Sequence, residues 1–136
     1  LSQLAALGKQ VLGLEVSFDV RGSRAVPGEG GAPFHRERPL AGRAPHGTGF
    51  GDDGVPAFAM CWVPLTDATP AGPCLMCVPR GHDPGYLEKG KLTCGPDLLH
   101  HVLPLPTPRG GACVYSHRLF HWGRSGDAVG DSGQPA

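Results

Sequence analysis

The chain has 136 residues, with twelve basic and twelve acidic residues and a formal net charge of zero. This length predicts one domain with a real core, and the balanced charge excludes electrostatic attachment to nucleic acid or to an anionic membrane surface. No apolar stretch has the length of a membrane span, and the first residues lack the pattern of a signal peptide. Because the chain begins with leucine, we expect either a fragment or a processed piece.

The cysteine content favours a reduced protein. There are five cysteines, an odd number, and three of them lie within apolar runs typical of buried strands. A free cysteine in such a run behaves as a small hydrophobic residue. We therefore expect an intracellular, cytoplasmic chain rather than a disulfide framework.

The first third of the chain mixes periodic and irregular segments. Residues 2–10 predict one or two helical turns, and the alternation of apolar and polar residues over 12–21 predicts a strand with one buried face. Residues 21–54 are rich in glycine and proline, and irregular segments of this length are usually functional or disordered. The GTGFGDDG run at 47–54 superficially resembles a nucleotide-binding loop, but no strand precedes it and no helix follows, so it predicts a turn.

The remaining elements are short apolar runs. Residues 55–65 are apolar on both faces and predict a central strand, and residues 74–78 predict another strand. Residues 98–105 predict an edge strand because they contain Pro104. The run from 112 to 115 predicts a strand that leads to a polar bend, beyond which His121 stands next to a Gly-Arg-Ser-Gly turn.

Short strands joined by glycine and proline turns predict an all-β fold. The pattern favours a jelly roll or barrel, with long Gly/Pro-rich loops, over an alternating α/β fold. About six strands are visible where a jelly roll has eight, so either strands are hidden in the glycine-rich part or the chain is incomplete. The predicted domain covers residues 1–126, followed by a flexible tail at 127–136.

One histidine-acid pair and one distant histidine form a candidate metal site. His35 and Glu37 are two residues apart, so on an extended segment their side chains share a face. His121 can supply a third ligand, and two histidines with one carboxylate form the facial triad that leaves positions open on Fe(II). The alternative for the pair is a solvent-exposed, charge-rich loop. His117 is a competing candidate for the distal ligand, but the Trp-Gly that follows His121 favours His121.

A second hypothesis is a zinc-binding module. Cys74 and Cys77 have the spacing of a zinc knuckle, and further ligands could complete a tetrahedral site, namely Cys94, His82, His100 and His101. The two residues between the cysteines are apolar, as in a buried strand, which disfavours this hypothesis. His100 and His101 are adjacent, so on a strand they would face opposite ways.

Three motifs follow one another through the middle of the chain: Trp62-x-x-Leu65-x-Asp67, Gly72-x-x-Leu75 and Val78-Pro79-Arg80-Gly81-His82. The stretch from 110 to 125 adds a strand with a His121-Trp122-Gly123 ending. Together with His35-x-Glu37, these motifs resemble the phytanoyl-CoA dioxygenase family over residues 30–126. Members of that family carry His-x-Asp, an Asn-Gly turn and Pro-Gly-Ser-His at the corresponding places.

This resemblance implies a double-stranded β-helix dioxygenase that uses Fe(II) and 2-oxoglutarate to hydroxylate a small or lipid-like substrate with dioxygen. His35, Glu37 and His121 would bind the iron, and Trp62, otherwise a simple core residue, would line the cavity. Family members carry an arginine after the distal histidine that pairs with the far carboxylate of 2-oxoglutarate. Arg124 is the arginine that this chain offers there. A truncated or inactive relative with a binding or structural role is the alternative.

Overall fold

A computed structural model describes residues 2–13, 22–26, 28–37, 56, 58–86 and 96–126. These residues contain helix α1 (Ser2–Leu12), strand β1 (Ala59–Trp62), strand β2 (Pro73–Val78), a 3₁₀ helix (Arg80–His82), helix α2 (Pro96–Leu99) and strands β3 (Leu103–Leu105), β4 (Cys113–Ser116) and β5 (Phe120–Ser125). The mainly β architecture expected from the sequence is confirmed. None of the described helices combines the length and apolar character needed to cross a membrane.

The described strands form two antiparallel sheets. One has the order β3-β2-β5, and the other pairs β1 with β4. In the three-stranded sheet, Cys77 of β2 lies opposite His121 of β5, and Leu75 lies opposite Gly123. In the two-stranded sheet, Met60 lies opposite Tyr115, and Trp62 lies opposite Cys113. Because opposed residues of an antiparallel pair share a face, Met60, Trp62, Cys113 and Tyr115 lie on one face of the β1–β4 sheet.

Helix α1 is longer than the one or two turns that the sequence predicts. It includes Leu12, the first residue of the predicted strand, and ends at Gly13, whose φ of 64° is a left-handed conformation that glycine adopts without strain. The Gly13 N–H donates to the Lys9 carbonyl at 3.2 Å, which closes the last turn. The rest of the predicted strand, residues 14–21, lies outside the described residues, as does the predicted tail at 127–136.

The predicted strand boundaries need correction at two places. Among the described residues of the range 55–65, strand β1 spans Ala59–Trp62, and within the described part of the chain it pairs with β4 alone rather than lying at the centre of a sheet. Residues 96–99 are helical because Pro96 suits the first position of a helix, and only Leu103–Leu105 form the predicted strand. That strand lies at the edge of its sheet, as Pro104 predicts.

The Gly-Arg-Ser-Gly stretch is a strand and not a turn. Strand β5 runs through Ser125 because each of its residues lies opposite a residue of β2. The turn conformation begins only at Gly126, where φ is 82°. His121 is therefore the second residue of a long strand, and Arg124 lies on that strand rather than in a bend.

The free edge of β5 is covered by residues 28–37, which we name the docked segment. It runs antiparallel to β5 and joins it through backbone hydrogen bonds from Gly123 to Ala32 and between His35 and His121 in both directions. Its last residue, Glu37, donates to the His117 carbonyl in the turn before β5. The approach is close at Gly31, where a Cβ atom would overlap the carbonyl oxygen of Gly123. The docked segment therefore acts as one more strand of the sheet next to β5.

The two faces of β5 pack against different residues. On one face, Phe120 packs in a small core with Val78 and Leu98, and Phe34 of the docked segment stacks on Phe120 with ring centroids 5.9 Å apart. On the other face lies His121, whose ring is 4.8 Å from the ring of Tyr115 on β4. The β1–β4 sheet therefore approaches the face of β5 that carries His121.

Candidate metal centre

His35, Glu37 and His121 come together on one face of the sheet. One possible ligand atom from each residue lies within 4.8 Å of those from the other two. A Glu37 carboxylate oxygen, Oε1, is 3.5 Å from His35 Nε2 and 3.8 Å from His121 Nε2. Among the residues that the structure describes, this is the one group of three histidine, cysteine or acidic side chains with such spacing.

The backbone register explains why the three side chains meet. His35 and His121 form a directly opposed antiparallel pair that exchanges both N–H to carbonyl bonds, at 3.0 and 3.1 Å. Side chains of such a pair point to the same face, and their ring centroids are 4.3 Å apart. Glu37 lies two residues further along, which returns its side chain to that face. Its N–H donates to the His117 carbonyl at 3.0 Å, so the register is held at this end too.

Both imidazole rings are oriented by hydrogen bonds from their far nitrogen. The Nδ1–H of His35 donates to the Pro33 carbonyl at 2.7 Å, and the Nδ1–H of His121 donates to the Leu119 carbonyl at 2.8 Å. Because a carbonyl only accepts, Nδ1 carries the proton in each neutral ring. The lone pair is then on Nε2, which is the atom that faces Glu37. Metal-binding histidines are commonly oriented by such carbonyl acceptors.

Burial keeps the distal histidine neutral. His121 is 2% exposed, and this burial is the main reason that its pKa is lowered from the ordinary 6.5. The hydrogen bond to Leu119 and the charge of Glu37 act in the opposite direction. Burial, followed by the charge of Glu37, raises the pKa of the neighbouring Tyr115 phenol above its ordinary range. The site therefore offers a neutral imidazole and a protonated phenol at physiological pH.

The donor set suits a divalent transition metal. Two imidazole nitrogens and one carboxylate oxygen are the ligands of non-haem Fe(II) sites and also of some Zn²⁺ sites. Adjacent ligands at bond lengths of about 2.1 Å lie roughly 3 Å apart. The 3.5 and 3.8 Å separations from Glu37 are within about 1 Å of that spacing.

The opposite face of the docked segment is held by an ion pair. Arg36 lies between His35 and Glu37, so its side chain points away from them. Its guanidinium binds both carboxylate oxygens of Asp83, at 2.5 and 2.7 Å, and donates to the Arg118 carbonyl at 2.8 Å. It also lies 5.0 Å from the centre of the Phe120 ring. These contacts hold the backbone that carries His35 and Glu37.

The two residues predicted to contact the cofactor lie in different surroundings. Arg124 is three residues after His121 on β5, which places its side chain on the other face, and its guanidinium donates to the Pro70 carbonyl at 2.8 Å. Trp62 is half-buried on β1 and lies on the same face of the β1–β4 sheet as Tyr115. Trp62 therefore faces the side of the molecule that contains the cluster, whereas Arg124 does not.

The competing histidines lie elsewhere. His117 is fully buried, stacks on Phe58 with ring centroids 4.0 Å apart, and its Nδ1–H donates to the Phe58 carbonyl at 3.3 Å. His82 and His101 are exposed, and their rings stack at 3.8 Å. His100 is exposed at the end of α2. Of the histidine candidates, the structure brings His35 and His121 together with Glu37.

Among the described residues, the two cysteines of the CxxC motif are not grouped with other possible metal ligands. Cys74 and Cys77 are three residues apart on the extended strand β2, so their side chains point to opposite faces. Both are buried, and burial raises the pKa of each thiol. Cys94 lies outside the described residues.

Two features of the site are missing from the sequence analysis. Tyr115 hydrogen-bonds His121 Nε2 at 3.4 Å, and Asp83 binds Arg36. A phenol that ends an otherwise apolar strand is a detectable signal for Tyr115. For Asp83, no local pattern indicates its partner, because the pair spans 47 residues of chain.

Comparisons with known proteins give no assignment. No protein-family model matches the chain, and neither a curated protein nor a solved structure is significantly similar to it. The function is therefore inferred from the geometry of the cluster and from the motif resemblance.

Proposed function

We propose that His35, Glu37 and His121 bind Fe(II) and that the protein is a 2-oxoglutarate-dependent dioxygenase. The single observation that carries the proposal is the convergence of two Nε2 lone pairs and one carboxylate on one face of a sheet. Residues 35 and 121 are far apart in sequence, so an accidental surface cluster is a poor explanation for paired backbones and oriented rings. The motif resemblance to phytanoyl-CoA dioxygenases supports the choice of iron and of 2-oxoglutarate.

Each of the three residues would have a different role in metal binding. His121 contributes a buried neutral ring, which does not have to lose a proton before it binds a metal. Glu37 contributes the negative charge and is half-buried, so it can be reached from solvent. His35 completes the facial set and is held by Pro33. Bound Fe(II) would supply oxidative chemistry, with 2-oxoglutarate and dioxygen as co-substrates and a small or lipid-like organic molecule as substrate.

Arg124, the arginine that would anchor 2-oxoglutarate, does not face the metal centre. Arg124 points to the face of β5 opposite His121 and donates to Pro70. A chain that binds iron but not 2-oxoglutarate would be the inactive relative. This alternative predicts an intact metal site with no turnover of the co-substrate.

An anaerobic titration tests the metal centre and the co-substrate separately. Fe(II) should bind with a stoichiometry of one, and later addition of 2-oxoglutarate should produce a weak visible charge-transfer band. His35→Ala, Glu37→Ala and His121→Ala should each abolish stoichiometric binding, whereas His100→Ala, an exposed histidine outside the cluster, should not. Wild-type protein that binds no metal would refute the proposal. Metal binding without the band would favour the inactive relative.

The alternative hypothesis of a cysteine zinc site predicts a different pattern of metal loss for the same proteins. If cysteines bound the metal, alkylation of the thiols would release it, and the three cluster variants would retain it. We expect the opposite pattern, because the described cysteines of the CxxC motif point to opposite faces of β2.

A further inference from the structure

Tyr115 contacts the proposed metal centre from the other sheet. Its hydroxyl lies 3.4 Å from His121 Nε2, and the two ring centroids are 4.8 Å apart at an interplanar angle of 60°. Strand β4 carries Tyr115, while β5 and the docked segment carry the three cluster residues. Tyr115 therefore reaches the cluster from a different sheet.

The direction of this hydrogen bond follows from the tautomer of His121. Nδ1 of His121 carries the ring proton, since it faces the Leu119 carbonyl at 2.8 Å. Nε2 is then an acceptor only, and the Tyr115 O–H donates to it. The lone pair that accepts this hydrogen bond is the same lone pair that a metal ion would use. Tyr115 and a metal therefore compete for one atom.

The backbone of Tyr115 is fixed next to His121 whether or not this hydrogen bond is made. Its backbone is paired with Met60 in the β1–β4 sheet, and the residue is half-buried against the His121 ring. A partly buried hydroxyl that loses its acceptor is stabilised by another acceptor nearby. Any oxygen-bearing ligand that shares the site with the metal would lie within reach of the released O–H.

We propose that Tyr115 is a ligand-orienting residue that donates its hydrogen bond to His121 in the metal-free protein and to a carboxylate or keto oxygen of a bound small ligand once the metal occupies His121. This inference rests on the proposed metal centre and adds a specificity-determining residue to it. The expected ligand class is a small oxyanion or α-keto acid. A neutral hydrocarbon gives the hydroxyl no acceptor.

The test compares Tyr115→Phe with wild type in two successive titrations. Co(II) replaces Fe(II) as an air-stable spectroscopic probe. Oxalate serves as the small ligand because it is too short to need an arginine for a far carboxylate, unlike 2-oxoglutarate. Tyr115→Phe should bind Co(II) as tightly as wild type or up to about fivefold more tightly, because a competing hydrogen bond is removed. Its affinity for oxalate should fall about five- to tenfold.

A second measurement does not depend on the folding of that variant. The chain has two tyrosines, so Tyr86→Phe leaves Tyr115 as the only phenol. Addition of Co(II) to Tyr86→Phe should shift the ultraviolet difference spectrum of the tyrosine band, and oxalate should shift it again. Tyr86→Phe also controls for loss of a hydroxyl, and its oxalate affinity should equal that of wild type.

The two titrations distinguish an incorrect role for Tyr115 from an incorrect metal centre. Wild-type protein that binds Co(II) while Tyr115→Phe binds oxalate with unchanged affinity would overturn the role of Tyr115 and leave the metal centre intact. A flat difference spectrum in metal-loaded Tyr86→Phe would overturn it as well. Failure of wild type to bind Co(II) would refute both proposals.

Discussion

Arg36 and Asp83 form a buried, two-pronged ion pair directly behind His35 and Glu37. Their side chains are 6% and 1% exposed, and both guanidinium nitrogens of the fork contact a carboxylate oxygen. The same Asp83 carboxylate accepts the Gly85 N–H at 3.0 Å. The pair thus links the docked segment to the chain after the 3₁₀ helix, on the face away from His35 and Glu37. Its function in the fold is to hold the site-bearing backbone against β5.

Asp83→Asn should therefore weaken both the fold and the metal site. Removal of one partner leaves the Arg36 charge buried and uncompensated, which costs roughly 3–5 kcal/mol of unfolding free energy. In protein that remains folded, we expect about tenfold weaker metal binding, as for other residues that support metal ligands. Chemical denaturation and Fe(II) titration measure the two effects.

Asp97→Asn is the matched control for this prediction. Asp97 is exposed in the first turn of α2, so the same substitution there should change stability by less than about 0.5 kcal/mol. The double variant Arg36→Met/Asp83→Leu should regain part of the lost stability, because neither buried charge remains. Equal behaviour of Asp83→Asn and Asp97→Asn would contradict the supporting role of the ion pair.

Gly31→Ala should separate the docked segment from β5. A Cβ atom at this position would overlap the backbone oxygen of Gly123, and a backbone atom cannot swing aside. Overpacking of this kind lowers the free energy of unfolding by about 1–3 kcal/mol. The displaced segment would carry His35 and Glu37 away from His121. We expect weaker metal binding by calorimetric titration. Gly30→Ala, where a Cβ has nothing within 4 Å, should behave like wild type.

The metal-free protein should lose stability as the pH falls below neutrality. The folded-state pKa of His121 is lowered from 6.5, chiefly by burial, so the unfolded chain takes up a proton on this residue more readily than the folded chain. The unfolding free energy contributed by neutral His121 is therefore complete above pH 6.5. It declines as the pH falls from that value towards the lower, folded-state pKa.

Urea denaturation at pH 7.5, 6.5 and 5.5 measures this dependence, and His121→Gln should show a smaller decline than wild type. The two proteins differ only at residue 121, so the difference between the two curves isolates His121. Parallel curves would contradict the assignment.

His117→Ala should be a stability variant and not a metal-site variant. Its fully buried ring stacks on Phe58 and donates to the Phe58 carbonyl, so truncation removes packing and a hydrogen bond together. We expect a loss of about 2–5 kcal/mol of unfolding free energy. At low temperature, where the variant is folded, metal stoichiometry should remain one. Loss of the metal from folded His117→Ala would instead make His117 a ligand.

Local patterns predicted the elements that depend on short-range chemistry. The sequence predicts the strand at 74–78, the edge strand that contains Pro104 and the strand that ends near Tyr115. Each of these predictions depends only on residues that are neighbours in the sequence. Local composition predicts a turn at Gly-Arg-Ser-Gly because glycine and serine are turn formers. Pairing along both sides of β5 outweighs that preference, and nothing within those four residues shows that partners are available.

The sequence by itself determined which ligands could exist and that His35 and Glu37 would share a face, because side chains alternate along any extended backbone. Only the tertiary structure decided that His121 rather than His117 meets them. That choice depends on the register between the docked segment and β5, and a shift of one residue would turn His121 to the opposite face. The tertiary structure also places Tyr115 beside His121, and Asp83 behind His35 and Glu37. Contacts of this kind between distant segments arise from packing and not from local sequence.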